Sequence, residues 1–269
     1  MIDLIEKLNF ESELKDKLIS LARKDKAKID LLAEKCRNGD FSCLKNKNDL
    51  MKLAVALKTA EYTKLKYQSL GIPEKIFFDT MGDIEIWCEN NGNRGLKNIG
   101  WIKNHLNCEL FRLGRLQFQF FKCNSRLIDY SLFPFDCGED VIYIHIPQGE
   151  KLIYSDCLAS VKQAVDFFEK YFPDYNFRYF FCESWLLYGE NYQFMDASSN
   201  IMQFSSMFDI PVSKPIQFQA IERIFGKHKI IKKNYPENTT LQKNAKEFIL
   251  GGNKLGIGIG YIDKLELMS

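Results

Sequence analysis

Near residue 107 the spacing of apolar side chains in this 269-residue chain changes period, so its fold must join a helical part to a part built on strands. Before that point apolar side chains recur every three or four residues, the mark of helices with one buried face. Leu14, Leu18 and Leu21 form the first stripe, with Ser12 placed to cap it. Ile29, Leu31, Leu32 and Cys36 form the second, over 25–36, ended by Asn38-Gly39. The third is the longest: Asp49 reads as its cap, Leu50, Leu53, Ala54, Leu57, Ala60 and Leu65 as its stripe, and Gly71 as its stop. Pro73 can start a further helix over 73–88, because a proline lacks only an N–H that the first turn leaves unused anyway. The run 90–95 breaks the pattern, and a short helix over 97–106 holds Trp101 and Ile102. No catalytic constellation stands out here, and the simplest reading of 1–107 is a helical bundle.

From Cys108 the period falls to two. Within 108–121, Leu113, Arg115, Gln117 and Gln119 share one strand face, and Leu116, Phe118 and Phe120 the other. Gly114 marks a bulge or a close backbone approach. Asn124-Ser125 turns the chain, and 126–130 reads as a return strand. The most informative stretch follows. A strand over 141–146 stops at Pro147-Gln148-Gly149, a helix runs over 156–171, and a second strand spans 177–187. Ser198, Ser199 and Asn200 then open a helix to about Phe208. The segment 215–225 fits a strand, though its later part also fits a helix; Thr239 caps a helix through Leu250, and 255–262 is a last strand. The fold class is therefore α+β: a helical N-terminal part, then a mixed sheet with flanking helices. Places where strands end and helices begin collect ligands, since free helix N–H groups converge there.

Composition narrows the partners. A net charge of +2 offers no argument for nucleic acid. The lysines over 227–233 are either a binding patch or a solvated turn. The eight cysteines include no C-x-x-C pair, and His105 with Cys108 is too little for a zinc site, so no metal is expected. The first seven residues mix acidic, basic and apolar types, unlike a signal peptide. No apolar run approaches the ~20 residues a spanning helix needs. Free thiols, a cytoplasmic location and no membrane partner are the expectation.

Several segments together carry a resemblance. They are Phe111–Phe118, His145-Ile146-Pro147 with Gly149 and Leu152, and Ser160 with Ala164, Phe167 and Phe168. Cys182–Leu187, Ser199-Asn200 with Phe204, Gly71-Ile72-Pro73, and Gly95 with Trp101 complete the set. On these residues the chain resembles a bacterial acyltransferase-like family with a helical N-terminal domain and a GNAT-like C-terminal domain. The resemblance implies domains at 1–107 and 108–269 and an N-acyltransferase. The donor would be acetyl-CoA or another acyl-CoA, and the acceptor a small-molecule amine. In that chemistry an amine attacks a thioester carbonyl, and much of the rate comes from holding both in one cleft. Splayed parallel strands admit the donor arm, and the next helix N-terminus receives the pyrophosphate. A base takes the amine proton, and an acid protonates the leaving thiolate.

The resemblance points to His145, Glu183 and Tyr188 as catalytic candidates, and to Ile146, Ser155, Ser160 and Asn200 as donor-binding ones. Four of them have a plainer reading. His145 also reads as a buried histidine satisfied by a neighbour, Glu183 as the partner of a basic residue such as Arg115, and Asn200 as an N-cap. Ser155 also reads as a helix cap. Arg115 and Gln117 either read an acidic acceptor or staple the two halves. Two departures from the family favour a ligand-binding protein that has lost transfer. The phosphate turn has Gly149 as its single glycine and carries Glu150. The helix opened by Asn200 offers Phe204, Met207 and Phe208 where a tyrosine is usual, leaving Tyr188 and Tyr192 in the preceding loop. A third reading pairs Cys182 with His145 as a hydrolase. Gly256, Gly258 and Gly260 lack the strand-loop-helix setting of a dinucleotide loop and read as a closely packed strand.

Overall fold

The structure, a computed structural model, describes residues 1–267. It separates into two compact units, Met1–Gln119 with Ile146–Gln148, and Phe120–His145 with Gly149–Ser269. In the first, α1 (Ile2–Lys7), α2 (Ser12–Lys24), α3 (Lys26–Arg37), α4 (Asp49–Ser69), α5 (Glu74–Met81), α6 (Asp83–Asn90) and α7 (Ile99–Leu106) precede β1 (Leu110–Leu113). Five successive residues of α4, Leu53 to Leu57, are fully buried. Its middle is thus buried on all sides, and α2, α3, α5 and α7 pack on α4.

Several boundaries differ from the sequence reading. Asn48, not Asp49, caps α4, its Oδ1 accepting the Met51 N–H at 2.8 Å. Ser12 is the first helical residue of α2, with Glu11 at the cap position. The helix expected over 73–88 is two, α5 and α6, separated at Gly82. Phe77, Met81, Ile84 and Cys88 are all fully buried at a continuous 4-3-4 spacing, so the period alone hides the break. The single strand expected over 108–121 is a hairpin of β1 with β2 (Leu116–Lys122). Leu113 pairs with Leu116 across a two-residue turn that Gly114 enters at φ +65°. Alternation that runs on through so short a turn mimics one longer strand.

The break at Gly82 leads directly to a buried polar cluster. Asp83 accepts from the indole N–H of Trp101 (2.6 Å) and of Trp87 (3.1 Å), and lies 3.2 Å from His105 Nε2. Gln117 Nε2 stands 3.5 Å from the same ring nitrogen. Burial pushes the Asp83 carboxyl up, but hydrogen bonds from His105, Trp101 and Gln117 outweigh it and hold the net value below the ordinary range. Asp83→Ala would leave these donors without an acceptor in a dry site, at an expected cost of about 2 kcal/mol in chemical denaturation. His105 is thus turned to Asp83 and Gln117. Among the described residues no group of three or more His, Cys, Asp or Glu side chains is placed to hold a metal ion.

The sheet is mixed and six-stranded, in the order β1-β2-β3-β4-β6-β5. In the second unit β3 (Asp140–His145) runs parallel to β4 (Tyr179–Ser184), joined by α8 (Tyr154–Tyr171). β6 (Ile257–Asp263) runs antiparallel to both β4 and β5 (Asp209–Lys214). Phe168 of α8 meets Phe177, which meets Phe180, so α8 covers the sheet face that Phe180 presents. On the face of Tyr179 and Phe181 lies a second apolar cluster with Val141, Ile259, Phe133 and Phe135. The expected strand over 126–130 is therefore absent. That segment is a loop whose aromatics cap the sheet, closed by the Tyr130 hydroxyl donating to the Cys123 carbonyl at 2.9 Å.

The helix expected to reach Phe208 is α9 (Asn200–Ser205), and the strand that follows, β5, occupies Asp209–Lys214, ahead of the segment 215–225 in which the sequence suggests one. β5 carries Pro211 and an irregular register between Asp209 and Val212, which only an edge strand tolerates. The later part of that segment is α10 (Phe218–Phe225). Thr239 does cap α11 (Thr240–Leu250), accepting the Gln242 N–H at 3.1 Å. Thr239→Ala is expected to lower stability by about 1 kcal/mol, read as a shift in the denaturation midpoint. Gly256, just ahead of β6, and the glycines within β6 are closely packed, as their spacing predicts. A Cβ on Gly256 would overlap the Lys214 carbonyl and the Tyr188 ring, and one on Gly258 the Leu187 carbonyl.

Candidate active site at the ends of β3 and β4

The parallel ladder between β3 and β4 joins Ile142 to Phe180 and Tyr143 to Phe181. Both strands then run on, β3 to His145 and β4 to Ser184, without further pairing between them among the described residues. Two parallel strands that part company at their C-terminal ends leave backbone groups facing a cleft, the usual ligand position in such sheets. β4 finds its continuing partner on the other side, where Cys182, Glu183 and Ser184 pair with Gly260, Ile259 and Gly258.

Strand alternation puts His145 and Glu183 on one face. His145 follows Tyr143 by two residues, and their rings stack at 4.3 Å and 10°. Tyr143 packs edge-on against Phe181 at 5.2 Å, and Phe181 precedes Glu183 by two. The Tyr143 hydroxyl donates to the Glu183 carbonyl oxygen at 3.2 Å, tying the two strand ends together. Burial pushes the Tyr143 phenol well above its usual range, so it stays neutral and acts as a fixed strut. The sequence reading missed Tyr143, although its place two residues before His145 is the signal that would have found it.

Glu183 is half-buried, and burial raises its carboxyl, opposed by the Ser125 hydroxyl and by Lys214. Its side-chain partner is therefore Ser125, whose Oγ donates to Oε2 at 3.5 Å, and not Arg115. The Ser125 Oγ also accepts the Leu127 N–H at 3.2 Å, so the loop after β2 fixes it. The folded pKa of Glu183 lies above its unfolded value. Stability is thus highest below the ordinary carboxylate range and declines as pH rises through it to the raised value. Glu183→Gln is expected to match the parent at low pH and exceed it in stability at neutral pH, in denaturant titrations at both.

Tyr188 does not join this pair. It is buried, and its ring lies over Gly256 on the face opposite Ile259 and Glu183. Burial, then the charge of Glu190, raises its phenol. Cys182 is fully buried and alternates away from Phe181 and Glu183, so its thiol points to the face opposite His145. Burial and the neighbouring Glu183 push that thiol up. A hydrolase needs the reverse on both counts, a depressed thiol within reach of the imidazole.

The four donor-binding candidates separate as well. Ile146 follows the last residue of β3 and is half-buried; after it Gly149 turns the chain at φ +116°. Ser155 is exposed in the first turn of α8, but it does not cap the helix, whose cap position is Ile153. Ser160 is buried a turn and a half further on, its hydroxyl donating to the Asp156 carbonyl at 2.9 Å. Asn200 is the first residue of α9 rather than its cap; Ser199 caps it, accepting the Met202 N–H at 3.3 Å. Asn200 is exposed, and α9 packs against α8. Just before Gly149, Arg115 donates to the Pro147 carbonyl at 3.0 Å and Asn90 to Gln148 Oε1 at 3.1 Å, all in the first unit.

No protein of curated function matches the sequence. Among solved structures it is similar to an acyltransferase in complex with CoA and 10C-teicoplanin, at TM-score 0.77 and 19% identity. It is similar also to an acyltransferase in complex with decanoyl-CoA, at 0.76 and 21%, and to an acyltransferase mutant in complex with octanoyl-CoA, at 0.76 and 19%. Each match covers 97% of this chain and 86% of the other. Residues 1–108 match the N-acyltransferase N-terminal domain. Residues 110–262, more than half of the chain, match the GNAT-like C-terminal domain, and the chain belongs to that family.

Proposed function

We propose that the protein transfers an acyl group from a CoA thioester to an amine on a small-molecule acceptor. The observation that carries this is the parting of β3 and β4 after Tyr143 and Phe181, with an imidazole and a raised carboxyl on one face beyond it. The family supports it, as do relatives of the same fold in complex with octanoyl-CoA, decanoyl-CoA or CoA, two of them together with a teicoplanin. The donor arm would enter where the strands part, past Ile146. Its phosphates would meet the turn through Gly149 and the first turn of α8, where Ser155 and the unused backbone N–H groups lie. Asp156 in that same turn works against phosphate, which limits how tightly free CoA is held. Ser160 supports α8 through Asp156 rather than touching the donor, and Asn200 borders the cleft from α9.

Chemically, the amine nitrogen bonds to the thioester carbon, the carbon–sulfur bond breaks, and the CoA thiolate leaves. The attacking nitrogen must shed a proton, and His145 takes it. Glu183, less acidic than an exposed carboxyl, holds the positive charge that then sits on the imidazole. Tyr143 positions both. Tyr188 is too far enclosed against β6 to serve as the acid, and the thiolate takes its proton from water. The test is release of CoA thiol from octanoyl-CoA or acetyl-CoA on adding a panel of amines, with the acylated amine detected by mass. Release above the level of the His145→Ala protein supports transfer. Saturable donor binding with no release for any amine would instead describe a ligand-binding protein.

A further inference from the structure

We propose that the loop after α10 docks the protein on an anionic phospholipid surface, a partner independent of the transfer reaction. α10 ends at Phe225, Gly226 reverses the chain at φ +80°, and the loop runs through Lys227-His228-Lys229-Ile230-Ile231-Lys232-Lys233 to Tyr235. Ile230 is 97% exposed and Ile231 60%. Scattered exposed aliphatics are ordinary, but two adjacent β-branched ones at a loop tip, ringed by lysines, are a specific pattern.

The tip is held outward by the fold. Tyr235 is buried, its ring stacked on Phe225 at 4.2 Å. Its hydroxyl accepts the Lys229 N–H at 3.3 Å, and its carbonyl accepts from Lys246 Nζ at 2.9 Å. The Asn234 N–H closes on the Ile231 carbonyl at 3.0 Å. The two ends of the loop are thus pinned while its middle projects.

Charge points to the same partner. Lys227, Lys229, Lys232 and Lys233 make no ion pair among the described residues, and no acid interrupts them. Of the nearest carboxylates in sequence, Glu237 is paired with Lys246 at 2.6 Å and Glu222 has Arg223 beside it. Ammonium groups on flexible stems reach lipid phosphates while the aliphatic pair enters the headgroup–acyl boundary. A nucleic acid would use the lysines but not the isoleucines, which have no π face for a base to stack on. No helix among the described residues is long and apolar enough to cross a membrane.

The test is co-sedimentation of the full chain with vesicles of phosphatidylcholine and of an equal mixture with phosphatidylglycerol. Binding is expected to the mixture alone and to weaken with salt. Ile230→Ser with Ile231→Ser should weaken it about tenfold at unchanged charge. Lys232→Ser with Lys233→Ser should weaken it roughly thirtyfold. All four side chains are exposed, so thermal unfolding should not move in either variant. No binding, equal binding to phosphatidylcholine, no loss in the isoleucine variant, or displacement by a single-stranded oligonucleotide would each overturn the proposal.

Discussion

Replacing His145 with Ala is expected to lower acyl transfer by about 10²–10⁴-fold, while donor affinity and thermal stability change little. The reasoning begins with alternation along β3. His145 sits at its last position, half-buried, stacked on Tyr143, on the face that carries Glu183. It closes no core of its own, so its removal takes away a proton acceptor more than packing. The measurement is steady-state CoA-thiol release, with donor binding measured separately. A fall in turnover without a fall in affinity identifies a group acting on the reacting atoms. Unchanged turnover would remove His145 and leave Glu183 as the proton acceptor. Tyr143→Phe offers a finer reading: it keeps the stacked ring but frees the Glu183 carbonyl, so a positioning role predicts a smaller loss than His145→Ala.

Gly258→Val should cost more than about 4 kcal/mol and leave little folded protein. The segment leaving β4 crosses directly over β6, and the Leu187 carbonyl occupies the space where a Cβ on Gly258 would stand. Backbone cannot swing aside as a side-chain tip can. At Gly260 the Asp209 carbonyl oxygen is 2.8 Å from the same imagined atom, so Gly260→Ala should be costly too, but less so. Circular dichroism and a denaturant titration decide the order. A Gly258→Val protein of parental stability would contradict the crossing.

These two sites also mark what the sequence discloses. The glycine spacing at 256, 258 and 260 signals a strand approached closely by backbone, and that is what β6 is. The turn from helices to strands near residue 107 is visible because period is a local property of the chain. What is not local stays hidden. Asp209–Lys214 lacks the apolar run of a central strand, because an edge strand need not have one. The break at Gly82 is masked by apolar residues that keep their spacing across it. Caps drift by a residue wherever neighbours such as Asn48 and Asp49, or Ser199 and Asn200, are both able to cap. His145 and Glu183 were legible as strand-end residues, but their shared face depends on the β3–β4 register and on Tyr143, and neither can be read before the strands are paired. The setting of Tyr188 is hidden for the same reason: nothing in its segment shows that the chain folds over Gly256.

Calorimetric titration of the purified protein with octanoyl-CoA and acetyl-CoA, against free CoA, tests the donor cleft most directly. Saturable one-to-one binding of an acyl-CoA, weakened by Ser155→Glu at the exposed first turn of α8, is the predicted result. Heats no larger than dilution for every ligand, at the highest soluble concentration, would contradict a donor site at the parting of β3 and β4.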